Sequence, residues 1–232
     1  MHHMPHLPNM FLDASAWVLP VLIAITFHEA AHGFVARLFG DSTATLEGRV
    51  TFNPLCHIDP FGTVLLPALL LLAQSPVLFG YARPVPVTFA KLSPRRLGEV
   101  CVAAAGPGVN VLLAVACALL LHMERFVSPE AAPWLYITLY RGLIINCVLA
   151  VFNLLPILPL DGGRVVHALL PGKLQGVWSA TERFGLLVVL ALLFLPNVIH
   201  FDLMKRIGGI SGQLTEHILE ATGNGTRMAD RD

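Results

Sequence analysis

Residues 26–33 read TFHEAAHG, and they lie inside an apolar run, WVLPVLIAITFHEAAHGFVARLFG. A run of that length in lipid must be helical, because every backbone amide has to find its partner within the segment. A helix in turn puts His28 and His32 one turn apart on a single face, with Glu29 beside them. Ionisable groups in a spanning helix are costly and mark function. Two imidazole nitrogens at i and i+4 suit one metal ion, and the glutamate can take a proton from a metal-activated water.

The rest of the chain reads as membrane protein too. Of its 232 residues 55% are hydrophobic and 13% charged, about half the charge of a typical soluble domain. Apolar segments run over 14–40, 61–80, 98–122, 135–158 and 184–200. Formal net charge is zero, which speaks against nucleic acid as a partner. The four cysteines are scattered without a CxxC pair, so neither a thiolate metal site nor a disulfide framework is expected. The fold class expected is an all-α polytopic membrane protein. It has about four to five transmembrane helices, a re-entrant hairpin and short membrane-associated β-strands. One membrane-embedded domain fills 1–232, with an N-terminal tail over 1–12 (including His2, His3 and His6) and a polar C-terminal tail over 210–232. The strands are expected at TATLEGRVTFNP, where Leu46, Gly48, Val50 and Phe52 alternate with Glu47, Arg49 and Thr51, and less strongly at ARPVPVTFAK. An exposed strand at 45–52 would offer backbone groups to an extended substrate.

A catalytic metal wants three protein ligands and an open position. Asp161 is the leading candidate for the third. It follows Pro156 and Pro159 and precedes Gly162 and Gly163 at the end of the fourth apolar segment, a place where a helix unwinds. His57 and Asp59, in the turn-rich NPLCHIDP, are rivals of lower rank. Topology bears on the choice. Arg37 and Arg49 follow segment one, and Arg83, Lys91, Arg95 and Arg96 follow 61–80. If both groups are cytoplasmic, as the positive-inside rule prefers, then 61–80 enters and leaves on one face. Segments one and four then run parallel, and Asp161 arrives at the depth of His28 and His32.

HEAAH together with NLLPILPLDGGRV resembles the site-2 protease family of intramembrane zinc metalloproteases. The likeness extends through GDSTATLEGRVTFNPLCHIDPFGT, GYARPVPV and AAAGPGVN, and is greatest to compact bacterial members without PDZ or CBS domains. The resemblance implies one Zn²⁺ per chain on His28, His32 and Asp161, with Glu29 activating water. It implies an endopeptidase cutting in or near transmembrane segments of other proteins, in the cytoplasmic membrane, with the site toward the cytoplasm. It also points to an asparagine near the site, as oxyanion donor or substrate contact. Asn110 and Asn153 are the candidates, with interhelical hydrogen bonding as the competing role for each. The competing function is a zinc-binding membrane protein without proteolysis, such as a transporter or a metal-dependent chaperone.

Overall fold

The computed structural model describes residues 7–74, 80–195 and 202–225. Residues 1–6, and with them His2, His3 and His6, lie outside that set. Three helices are long and apolar enough to cross a bilayer, at Phe11–Leu38, Arg95–Phe126 and Ala132–Asn153, or four if a bent pair counts as one span.

The first helix, α1 (Leu7–Leu38), ends in a Schellman motif. Gly40 has φ +98°, the Asp41 N–H reaches Ala36 O at 2.9 Å, and the Gly40 N–H reaches Arg37 O at 3.1 Å. Helices α4 (Arg95–Leu120) and α5 (Ala132–Asn153) pack on it and on each other. Their directions follow from the bonds between them. Trp134 Nε1 donates to Ser15 Oγ at 2.9 Å and Arg141 pairs with Asp13 at 2.7 Å, so α5 starts where α1 starts. Asn110 of α4 reaches Ala24 O, while Val102 lies two turns on, beside His32. Thus α5 runs parallel to α1 and α4 runs back between them.

The chain then breaks. After the turn 154–160, α6 (Asp161–Leu169) begins at Asp161 itself. A Cβ on Gly162 would stand 2.2 Å from Leu154 O, and one on Gly163 would stand 2.5 Å from the Ile157 carbonyl carbon. Only glycines let the first turn of α6 lie on the loop that feeds it. Helices α7 (Gly172–Ala180) and α8 (Glu182–Phe194) follow, bent by 57° to one another. The last helix, α9 (Leu203–Ala221), packs along α5 through Leu203, Ile207, Ile218 and Leu219, so most of the polar C-terminal stretch is a docked helix.

The strands expected from the sequence are overturned: among the described residues there is none. Thr43–Leu46 is a single helical turn, α2, closed by its own Schellman motif. Gly48 sits at φ +64°, the Arg49 N–H reaches Ala44 O at 2.8 Å and the Gly48 N–H reaches Thr45 O at 3.1 Å. The alternation through 46–52 therefore counted a C-terminal cap as a strand position. The stretch around Val85 is extended but pairs with no neighbour as a ladder. The helix count is corrected as well: among the described residues the candidate spans number three, or four with the bent pair, against the four to five expected.

Segment 61–80 leaves and returns at one place. Its helical part, a wide turn over Pro60–Leu65 followed by α3 (Leu66–Leu72), is about 20 Å long, short of the ~30 Å hydrocarbon core. The Tyr81 N–H donates to Gly62 O at 3.1 Å, and the Arg83 N–H donates to His57 O at 2.9 Å. Residues 75–79 lie outside the described set.

Candidate metal centre

His28 and His32 are 8% and 9% exposed, on the face of α1 that meets α4. Each is turned by its Nδ1. His28 Nδ1 lies 2.6 Å from Asn110 Oδ1, and His32 Nδ1 lies 2.7 Å from Val102 O. The Asn110 Nδ2 donates to Asn146 Oδ1 at 2.8 Å and to Ala24 O at 3.3 Å, so its Oδ1 is the atom facing His28. Both partners of the imidazoles can only accept, so each Nδ1 carries a proton, and in the neutral ring each Nε2 then presents a lone pair.

Those two lone pairs face each other at 3.1 Å. Asp161 closes the triangle, its Oδ2 3.3 Å from His28 Nε2 and its Oδ1 3.5 Å from His32 Nε2. The Asp161 side chain is 16% exposed, and its buried Oδ2 has no hydrogen-bond donor. Three ligating groups thus converge, and with both imidazoles neutral they are the donor set of a tetrahedral ion with one position left open. Space is reserved for it. A Cβ on Gly106 of α4 would lie 2.5 Å from both His28 Cε1 and His32 Nε2. The residues fit a metal ion. Among the described residues, no other group of three or more His, Cys, Asp or Glu side chains converges in this way.

The rivals for third ligand are engaged elsewhere. His57 is buried and donates from Nε2 to Thr51 O at 3.0 Å. Asp59 caps the Pro60 turn, accepting from the Phe61 and Gly62 amides. Glu29 is half-buried and accepts the Val85 N–H on Oε2 at 2.9 Å. Of the two asparagines, Asn110 has both amide hydrogens committed, leaving none to give an oxyanion. Asn153 donates to Leu149 O at 3.1 Å and stands at the end of α5. His167 belongs to a buried pair with Glu99 at 2.5 Å, which ties α6 to α4.

Sequence reasoning passed over two members of this site. Asn146 continues the chain from His28 through Asn110 and ends on Gly142 O at 2.8 Å. Its signal was available, as a carboxamide inside an apolar helix. Val102 contributes only its carbonyl, which no side-chain pattern announces. Groups that hydrogen-bond the far nitrogen of a metal-binding histidine commonly set metal affinity by ~10–100-fold. Asn110→Ala is expected to weaken metal binding by that margin, measured by competition with a chelator of known affinity.

Beside the histidines lies an apolar hollow of about 390 Å³, bounded by Phe27, Ala31, Phe34, Phe52 and Val109. Phe27 and Phe52 stack at 4.5 Å across one side of it.

The family model for Peptidase family M50 matches residues 16–131 and 122–196, a range that holds all three converging side chains and Glu29. The chain belongs to peptidase family M50. This is the site-2 protease family, and membership makes the chain a peptidase. Its relatives include "Putative zinc metalloprotease YwhC" of Bacillus subtilis, 38% identical over 185 residues, 77% of this chain and 80% of that one. Another is "Putative zinc metalloprotease Rip2" of Mycolicibacterium smegmatis, 31% identical over 214 residues, 89% of this chain and 78% of that one. The Rip2 of Mycobacterium tuberculosis is 30% identical over 207 residues, 88% and 76% respectively. No solved structure matches the chain. The M50 peptidase is a multi-pass membrane protein, consistent with its apolar helices.

Proposed function

We propose that this M50 peptidase is a zinc metalloendopeptidase of the cytoplasmic membrane, opening toward the cytoplasm, that hydrolyses peptide bonds in or near transmembrane segments of other proteins. The observation that carries the reading is the convergence of His28 Nε2, His32 Nε2 and the Asp161 carboxylate. The names of the relatives support zinc as the ion.

Bound at His28, His32 and Asp161, zinc supplies a Lewis acid for the scissile carbonyl and acidifies a water. The protein supplies the rest. Asn110 and the Val102 carbonyl lock both imidazoles in the ligating tautomer. Asp161 stands in the first turn of α6, where the helix dipole favours a carboxylate. Glu29, held by Val85 on one oxygen, keeps the other for the water's proton and delivers it to the departing amine. Asn153 is offered as a substrate contact through the amide hydrogen it does not use on Leu149. The apolar hollow suits the side chains of a membrane-spanning substrate.

The test is Glu29→Gln in purified, zinc-loaded protein, with a Leu- and Ala-rich fluorogenic peptide in detergent micelles as probe. Zinc is expected to remain at wild-type content while turnover falls by ~10²–10⁴, the range of general acid–base catalysis. Cleavage that survives the substitution would overturn the reading in favour of a zinc-binding membrane protein without proteolysis.

A further inference from the structure

Arg49 is 8% exposed, and among the described residues no carboxylate pairs with it. A buried guanidinium without a counter-charge is costly unless its neighbours supply acceptors. Its Nη2 donates to Arg83 O at 2.8 Å and, more weakly, to Pro84 O at 3.4 Å, while its Nε is buried with no partner. The Pro84 carbonyl belongs to the same peptide unit as the Val85 N–H. That N–H is the one that donates to Glu29 Oε2 at 2.9 Å.

The surroundings concentrate this effect on one bond. Pro84 and Pro86 flank Val85 and have no N–H, so Val85 is the sole donor among these three residues, on a backbone that both prolines hold extended. The segment lies directly on α1. A Cβ on Gly33, one turn beyond Glu29, would meet Val50 Cγ2 at 2.8 Å and Val85 Cγ1 at 3.1 Å. Arg49 itself is aimed by the cap at Gly48, which turns the chain back after α2. A cation on the carbonyl side of a peptide strengthens the N–H on its other side as a donor.

We infer that Arg49 is a positioning residue for the reaction: it clamps the 83–85 backbone so that the Val85 N–H fixes the carboxylate of Glu29. The inference rests on the reading of Glu29 as the proton acceptor. It assigns the buried charge a task that neither packing nor ion pairing accounts for. It also explains why one nitrogen serves two carbonyls, an arrangement a lysine ammonium can reproduce.

The experiment compares Arg49→Met, which keeps the apolar stem without the charge, with Arg49→Lys and with Arg49→Gln, which keeps a donor without charge. All are made in the full chain and assayed with the same fluorogenic peptide. Arg49→Met is expected to lower kcat by about tenfold or more, since a 1 Å misplacement of a reacting group can cost ~10²-fold. Its KM and zinc content stay at wild-type values, and hydrogen exchange at the Val85 amide quickens. Arg49→Lys restores most of kcat and the slow exchange, and Arg49→Gln falls between. Should Arg49→Met not accumulate, the Gln and Lys proteins give the same comparison. The inference is overturned if the uncharged variants keep wild-type kcat, if activity falls only in proportion to lost zinc, or if Lys is as impaired as Met. Glu29→Gln run alongside separates the two failures. An inactive Glu29→Gln with an unimpaired Arg49→Met sinks only the clamp, whereas an active Glu29→Gln sinks the reading beneath it.

Discussion

Purified Asp161→Ala protein is expected to bind zinc at least a hundredfold more weakly than the wild type and to cleave no probe peptide. The margin follows from comparison with the groups that merely orient such imidazoles, whose loss alone costs ~10–100-fold, whereas Asp161 stands at 3.3 and 3.5 Å from the two Nε2 atoms themselves. Without it the imidazoles keep their tautomers, because Asn110 and Val102 are untouched. The remaining pair is a two-ligand site, and such a site holds the ion poorly. Metal analysis after dialysis against a mild chelator reads the result directly. A variant that kept stoichiometric zinc through that treatment would refute the place given to Asp161.

The second large effect concerns a residue with no side chain. Gly106→Val is expected to abolish metal loading and activity together while the helical circular dichroism is unchanged. The added Cβ alone would lie 2.5 Å from His28 Cε1 and from His32 Nε2, closer than such contacts allow, and neither ring can retreat without breaking its Nδ1 bond. The control is Gly108→Val on the same helix, where an added Cβ meets nothing within 4 Å. If Gly108→Val also empties the site, the loss at Gly106 reflects helix weakening and the packing argument fails.

What could be read in advance was whatever a side chain carries at a fixed spacing. His28, Glu29 and His32 share a helix turn. Pro156, Pro159, Gly162 and Gly163 mark a break that only a short carboxylate could exploit. The misread strand at 45–52 shows the limit of such patterns: Gly48 fell on an apparent apolar face, yet its positive φ makes it the end of a one-turn helix. Short alternations are weak where a glycine supplies one of the counts. Helix number was overcounted because hydrophobic length does not report a bend: α8, in the last apolar segment, is only 13 residues long and meets α7 at 57°. The orienting groups were the least legible. The Val102 carbonyl and the Val85 amide act through backbone atoms common to every residue, and only the packing of α1 against its neighbours selects them. Asn110 stands out in the sequence, and its companion Asn146 is legible only together with it, since a pair of carboxamides in facing apolar helices is how each satisfies the other.

The antiparallel passage of α4 between α1 and α5 has a bearing on biosynthesis. A ribosome that has delivered α1 has made both imidazoles but no binding site. The atoms that orient them arrive with Val102 and Asn110, and the carboxylate arrives only with Asp161. A nascent chain therefore gathers the three converging side chains only once Asp161 has been translated.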